Sequence, residues 1–157
     1  MTVLGIDPGY AIIGYGVLRY IGNKFTVLEY GTVTTKAGTP FPDRLVDIYD
    51  GVEQVIKRFS PDQMGIEKLF FNTNTTTAIE VAQARGVILL AARENGIGTI
   101  GEYTPLQVKM AITGYGQADK KQVMEMTRIL LSLQKIPRPD DAADALAIAL
   151  THGAFSR

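Results

Sequence analysis

The sequence predicts a single α/β domain in which one five-stranded mixed sheet is flanked by helices. Three observations lead to this fold class: three β-rich segments come first, a helical apolar stripe follows, and strand and helix patterns then alternate. The 157 residues suffice for one hydrophobic core but not for two domains enclosing a cleft, and no low-complexity linker divides them. We therefore expect one domain over residues 1–157.

The first three strands are predicted to form an antiparallel meander. Residues 3–7, with the sequence VLGID, make a short apolar run that the turn at Pro8 and Gly9 ends. The β-branched and aromatic segments at 12–20 and 24–35 are separated by turn residues, which is typical of a β-hairpin.

A helix and a parallel strand follow the meander. From Phe41 to Phe59 apolar residues recur every three or four positions, which predicts an amphipathic helix. Residues 63–71 then form a buried strand, and the helical crossover makes it parallel to the first strand and near it. A second helix is predicted over 75–96, with threonine caps at its start and Gly96 at its end.

The last part of the chain is predicted to hold one strand and three helices. The strand covers 97–103, and the helices cover 105–112, 118–133 and 140–154. The final helix is rich in Ala, Leu and Ile, so we expect it to be buried, yet its first turns contain three aspartates. Burial disfavours charged carboxylates, so their presence needs a physical reason.

Composition excludes several classes of protein. The chain has no cysteine, which excludes disulfides and thiolate metal ligands. The amino terminus lacks the pattern of a signal peptide, and the longest apolar runs, at 87–92 and 145–150, are too short to cross a membrane. These features predict a cytoplasmic protein without a membrane partner.

The charged residues are unevenly distributed. Sixteen basic and sixteen acidic residues give a net charge of zero, which argues against coating of nucleic acid by bulk electrostatics. Residues 103–138, however, contain six lysines and arginines against two acidic residues, hence a local net charge of +4. This segment predicts a local surface that binds anions.

Four carboxylates lie where the predicted elements can bring them together. Asp7 ends the first strand, and Glu67 lies within the fourth. Asp141 and Asp144 share one face of the last helix. Carboxylates in contact repel one another unless a counter-charge is present, and two Mg²⁺ or Mn²⁺ ions balance four of them. Two such ions activate water and stabilise the leaving oxygen in phosphodiester cleavage.

Each acid also has an ordinary structural explanation. Aspartates in the first turn of a helix often cap it, and we assign Asp140 to that role. Asp7 can form the turn before Pro8, and Glu67 can face solvent from its strand. The conjunction of four acids on elements that pack together favours the metal site.

Five motifs stand in order along nearly the whole chain. They are GIDPGYAIIGYGV at 5–17, IEKLFFNTNTTTA at 66–78, AQARG at 82–86, QVKMAITGYGQADKKQV at 107–123 and DAADALAIALTH at 141–152. Together they resemble the RuvC family of bacterial Holliday junction resolvases. The resemblance implies a ribonuclease-H-like nuclease domain, a homodimer, and two Mg²⁺ ions per active site, with Mn²⁺ as a substitute. It also implies symmetrical nicking of four-way DNA junctions in recombination and repair, and partnership with branch-migration proteins of the RuvA and RuvB type.

The resemblance assigns roles to individual residues. The catalytic and metal-binding acids of the family fall on Asp7, Glu67, Asp141 and Asp144. Lys109 and Lys120 match basic residues of the family that bind DNA, and a lysine acts as a point charge on phosphate. Lys121, next to Lys120, is an equally basic candidate.

The segment after the fourth strand holds further candidates for DNA binding. A residue matching Phe70 engages a base near the junction centre in the family, and packing in the sheet core explains Phe70 equally well. Asn74 and Thr77 match residues that can donate hydrogen bonds to DNA, although helix capping is the more ordinary role of Thr77. The helix over 77–94 contributes to the dimer interface in the family, and core packing explains its apolar stripe as well.

The single histidine departs from one version of the family pattern. Some members carry a histidine among the acids of the last helix, whereas His152 lies eight residues beyond Asp144. That separation is ~12 Å along the axis at ~1.5 Å per residue. We therefore expect an all-carboxylate site and assign His152 to the end of the helix.

Three other functions fit part of the sequence. GIDPGY at 5–10 also resembles the phosphate loop of actin-like and sugar-kinase ATPases, but those proteins need two such domains. A ribonuclease-H-like nuclease that processes structured RNA would share the first strand, whereas the last helix and the lysine motif favour the resolvase. An inactive DNA-binding module is disfavoured because all four acids are present.

Overall fold

A computed structural model describes residues 1–69 and 77–156, which form one five-stranded sheet and five helices. The strands are β1 (Thr2–Asp7), β2 (Ile12–Ile21), β3 (Lys24–Thr34), β4 (Gln63–Glu67) and β5 (Thr99–Tyr103). The helices are α1 (Phe41–Phe59), α2 (Ala78–Glu94), α3 (Pro105–Thr113), α4 (Lys120–Leu130) and α5 (Asp140–Phe155). In the described residues, every helix is too short or too polar to cross a membrane.

The sheet is mixed, as predicted, with the strand order β3-β2-β1-β4-β5. The first three strands form the predicted antiparallel meander, and the two residues between Ile21 and Lys24 make the hairpin turn. Gly22 in that turn has a positive φ of 63°, which glycine adopts without steric cost. β4 pairs parallel to β1 on one side and parallel to β5 on the other.

The fourth strand is shorter than the predicted range of 63–71. It ends at Glu67, which pairs with Tyr103, the last residue of β5. One further hydrogen bond, from the Lys68 N–H to the Tyr103 carbonyl at 2.8 Å, closes this part of the sheet. β4 therefore ends where its neighbour β5 ends. The sequence around β4 alone does not show where that point lies.

α4 is also shorter than predicted, because local hydrogen bonds set both of its ends. Asp119 caps the helix: its side chain accepts from the Gln122 N–H, and the Gln122 side chain accepts from the Asp119 N–H. At the other end Ser132 has a φ of 54°, a left-handed conformation that a helix cannot continue through.

The two faces of the sheet carry separate cores. α1 and α2 pack on one face, where their buried side chains include Ile48, Val52 and Ile88. α5 covers the other face, with α3 and α4 packed beside it. Residues alternate along β1, so Leu4 enters the first core and Val3 the second.

Glycines allow α5 to lie directly on the sheet. A Cβ added to Gly5 of β1 would stand 2.1 Å from the carbonyl oxygen of Ala145, and one added to Gly14 of β2 would stand 2.0 Å from that of Asp141. Gly65 of β4 faces His152 near the other end of the helix in the same way. This close approach fixes the first turns of α5 over the edge of the sheet at which β1 ends.

Replacement of Gly5 by alanine is expected to destabilise the fold by ~3 kcal/mol or more, because the new methyl group meets the backbone of α5 rather than a flexible side chain. Gly98→Ala is the matched control, since nothing lies within 4 Å of its added Cβ, and it is expected to change stability by less than ~0.5 kcal/mol. Urea unfolding measures both. Equal stability of the two variants would contradict the close packing of α5.

Candidate active site

Four acids meet at one edge of the sheet. Because β1 and β4 are parallel neighbours, their carboxyl ends lie at the same edge, and Asp7 and Glu67 are their last residues. Asp141 and Asp144 lie in the first turns of α5, whose backbone passes over Gly14, the partner of Asp7 in β2. The charges of all three other acids act on Asp7, so the four carboxyl groups form one electrostatic cluster.

Asp7 is at the centre of this cluster. Burial, a hydrogen bond with Glu67, and the charges of Glu67, Asp144 and Asp141 together raise the pKa of Asp7 to about 9. At neutral pH Asp7 therefore keeps its proton and donates it in a hydrogen bond to the Glu67 carboxylate. The shared proton reduces the negative charge that the cluster would otherwise carry.

Lys120 supplies a positive counter-charge from the first turn of α4. Its Nζ lies 3.5 Å from Oδ2 of Asp144 and 3.7 Å from Oδ2 of Asp140. Burial, with smaller contributions from the charges of Glu67 and Asp141, raises the pKa of Asp144 despite the opposing effect of the Lys120 ammonium. Burial lowers the pKa of Lys120, but the carboxylates of Asp144 and Asp140 outweigh this effect and raise it.

Asp140 does not cap α5, so the sequence assignment is wrong. Pro139, with extended backbone angles of −71° and 174°, occupies the N-cap position, and no side chain accepts a capping hydrogen bond there. Asp140 is thereby moved to the first helical position, where its carboxylate still benefits from the helix dipole. Its side chain is 71% exposed and extends towards Lys120.

Arg85 of α2 holds the end of β4 in place. Its Nε donates to the main-chain carbonyl of Glu67 at 3.2 Å, and its Nη2 lies 2.7 Å from Oε1 of Glu102 on β5. The Arg85 side chain is 12% exposed, whereas its partner Glu102 is 45% exposed, so the contact with the Glu67 carbonyl is the more protected of the two. Arg85 belongs to the AQARG motif, and no separate role was predicted for it. A cation within that motif was the available signal, but only the tertiary fold reveals its partners.

A pocket of about 260 Å³ opens beside the acids, between α3, α4 and α5. Its polar lining consists of Glu67, Lys109, Lys120 and Asp144, and its apolar lining includes Val108, Val123, Met124 and Ile148. The structure thus brings two of the three candidate lysines to the acids. Lys121 instead lines a separate, more apolar depression with Tyr115 and Ile129. Successive residues of a helix point about 100° apart, which accounts for the difference.

Two candidate DNA-binding residues, Phe70 and Asn74, lie outside the described residues. Thr77 occupies the N-cap position of α2, as the capping interpretation requires, but its side chain makes no capping hydrogen bond.

His152 is a buried residue of the last turn of α5. It is 2% exposed, its Nδ1 lies 2.8 Å from the Tyr103 hydroxyl, and its Nε2 lies 2.8 Å from Oε1 of Gln63 and 3.1 Å from Oγ of Ser156. Burial lowers the pKa of this imidazole. Placement near the helix end is confirmed, whereas the polar network in the core was not predicted.

The carboxylate oxygens of the four acids suit a hard divalent cation, although the four side chains are not arranged around a single metal position. In the described residues, no group of three or more acidic or histidine side chains is positioned to hold a metal ion. The proton of Asp7 and the ammonium of Lys120 instead offset only part of the negative charge of the four acids. Their oxygen chemistry and their unfavourable crowding both fit a cation, whose binding would release that proton.

The family model, the related sequences and the solved structures that match this chain agree with one another. The family model described as crossover junction endodeoxyribonuclease RuvC matches residues 3–152. A protein of that description from Brevibacillus brevis is 53% identical over 155 residues, which cover 99% of this chain and 93% of that protein. The structure of Thermus thermophilus RuvC in complex with Holliday junction substrate has a TM-score of 0.94 and 40% identity, covering 100% of this chain and 95% of the other.

A more distant structure supports the fold alone. The yeast mitochondrial Holliday junction resolvase Ydc2 is 13% identical with a TM-score of 0.71, covering 98% of this chain and 78% of that one. The ribonuclease-H-like architecture predicted from the sequence is confirmed by these structural neighbours.

Asp7→Asn is expected to stabilise the metal-free protein increasingly as pH rises. The pKa of Asp7 is about 9 in the folded protein, against an ordinary value of 3.8. The contribution of Asp7 to the free energy of unfolding is therefore fully present below pH 3.8 and is lost as pH rises towards 9. Asparagine does not titrate. The variant should match the wild type near pH 4 and exceed its free energy of unfolding by roughly 1–3 kcal/mol at pH 8.

Chemical denaturation in a chelating buffer at pH 4 and pH 8 measures this difference. Asp140→Asn is the matched control, because it removes an exposed carboxylate in the first turn of α5, beside the cluster, and should change stability little at either pH. An Asp7→Asn protein less stable than the wild type at pH 8 would contradict the description of the cluster.

Proposed function

The chain belongs to the RuvC family of crossover junction endodeoxyribonucleases, and we propose that it resolves four-way (Holliday) DNA junctions by symmetrical paired nicks in recombination and repair. The substrate assignment is supported by the likeness to a relative whose structure contains a Holliday junction. The observation that carries the chemistry is the acid cluster, in which burial and the crowding of other carboxyl groups raise the pKa of Asp7 to about 9. Such crowding is expected at a site built for cations.

We propose that the four acids hold two Mg²⁺ ions, with Mn²⁺ as a substitute. When bound, such a pair of ions activates a water molecule and stabilises the leaving 3′-oxygen. The acids contribute by giving up the proton that Asp7 shares with Glu67, which supplies the negative charge the cations need. Arg85, by holding the Glu67 carbonyl, supports the position of one proposed ligand.

Lys109 and Lys120 are proposed to receive the DNA backbone at this site. Both line the pocket that also contains Glu67 and Asp144, so a phosphate entering the pocket meets two ammonium groups. Lys120 can exchange its carboxylate partners for a phosphate once cations neutralise the acids. Phe70, Asn74 and Lys121 are proposed as further DNA contacts outside the pocket.

Symmetrical nicking requires two active sites, and we propose a homodimer of single nuclease domains spanning residues 1–157. Exposed apolar side chains of α2 support this arrangement: Ile79 is 69% exposed and Leu90 is 54% exposed. Branch-migration proteins of the RuvA and RuvB type are proposed as partners on the same junction.

Cleavage of a mobile synthetic four-way junction tests the proposal. The wild type should produce paired symmetrical nicks with Mg²⁺ and none in a chelating buffer. Asp7→Asn and Asp144→Asn should each lower the cleavage rate by at least ~10³-fold, because each removes a ligand charge from a site that depends on bound cations. Junction binding should change little.

Asp140→Asn is the matched control for these variants. It removes an aspartate that also contacts Lys120 but lies outside the proposed ligand set, so its cleavage rate should stay within a few-fold of the wild type. Cleavage at the wild-type rate by Asp7→Asn or Asp144→Asn would refute the site assignment, and activity in the chelating buffer would refute the metal requirement.

A further inference from the structure

A second concave surface, which we name the basic groove, has a volume of about 710 Å³. Its lining residues are Tyr30, Glu125, Arg128, Gln134, Lys135, Ile136 and Arg138. Three of these are cationic and one is acidic, so the lining has a net charge of +2. The basic groove therefore contains half of the six basic residues in the +4 segment at 103–138, and none of the three has a place in the proposed active site.

The cations of the basic groove differ in how they are held. The guanidinium of Arg128 is fixed: its Nη2 lies 2.6 Å from Oε1 of Glu125, and its Nη1 donates to the Leu133 carbonyl at 3.0 Å. Lys135 and Arg138 are exposed and have no ion pair with any residue that the structure describes. Unpaired cations at a concave surface focus a positive potential, which attracts an extended anion.

The basic groove and the pocket beside the acids lie on opposite sides of β1 and are connected by shared elements. Tyr30 lies on β3, whereas the Lys109 and Lys120 pocket includes Glu67 of β4, so the two surfaces lie on opposite sides of β1. They are connected through α4, on which Lys120 and Arg128 are eight residues apart, or ~12 Å at ~1.5 Å per residue. Arg138 also precedes Asp141 by only three residues.

We propose that the basic groove binds the phosphate backbone of a duplex arm of the junction, a few nucleotides from the cut. The inference rests on the proposed function, since it requires the scissile phosphate to lie at the acids. One DNA strand advances ~3.4 Å per nucleotide, so the ~12 Å along α4 corresponds to three or four nucleotides. Lys135 and Arg138 supply the two contacts to the phosphates, since Arg128 is paired with Glu125.

The double variant Lys135→Gln, Arg138→Gln tests this proposal. Its affinity for a synthetic four-way junction is measured in a chelating buffer at several salt concentrations, so that binding is separated from cleavage. The slope of log K against log salt should fall by ~2, about one for each lost phosphate contact, and Kd should rise about tenfold or more at moderate salt. The cleavage rate at saturating enzyme should stay within a few-fold of the wild type, since neither side chain touches the reacting atoms.

The variant Lys24→Gln, Lys57→Gln is the matched control, because it removes the same charge elsewhere. Lys24 stands at the hairpin end of β3, ~20 Å from Tyr30 at ~3.3 Å per residue, and Lys57 lies on α1 across the sheet from α5. Its slope and Kd should match the wild type.

Two results would overturn the proposal: a wild-type slope and Kd for the groove variant, or an equal loss in both double variants, which indicates a general effect of net charge. A wild type that binds the junction without cutting it, with the slope still reduced in the groove variant, would refute the proposed function and leave the basic groove supported.

Discussion

The repulsion among four carboxylates at one edge of the sheet is the constraint on which the rest of the structure depends. Glycines in β1 and β2 let the backbone of α5 approach the sheet within contact distance, and that approach brings Asp141 and Asp144 onto the strands that end in Asp7 and Glu67. The resulting crowding is relieved by a retained proton and by Lys120 rather than by separation of the acids. A fold selected for stability alone would place apolar or neutral groups there.

Basic residues lie close to the acid cluster. The chain has a net charge of zero, yet residues 103–138, which contain α3, α4 and the segment before α5, have a local net charge of +4. Lys120 forms an ion pair with Asp144, and Lys109 lines the same pocket. Electrostatic attraction for an anionic substrate is therefore local, and ionic strength should affect binding more than chemistry.

Local patterns predicted those parts of the fold that local physics determines. The apolar stripe of α1 gave its bounds, Phe41–Phe59, because a left-handed Ser60 ends the helix where the pattern ends. The four acids were found because charge on otherwise apolar elements is unusual. The buried network of His152 and the contacts of Arg85 were missed, since each depends on partners distant in sequence. The role of Asp140 was predicted wrongly because the neighbouring Pro139 takes the N-cap position. Which of two adjacent lysines faces the acids depends on the rotation of α4, which composition does not reveal.

Diffraction from crystals soaked in Mn²⁺ tests the central claim most directly. We expect two anomalous peaks ~4 Å apart, each within coordination distance of carboxylate oxygens from Asp7, Glu67, Asp141 and Asp144. Asp7 should then no longer be bonded to Glu67 through a proton. Full soaking that leaves no peak among these four side chains, or places manganese only elsewhere on the surface, would contradict it.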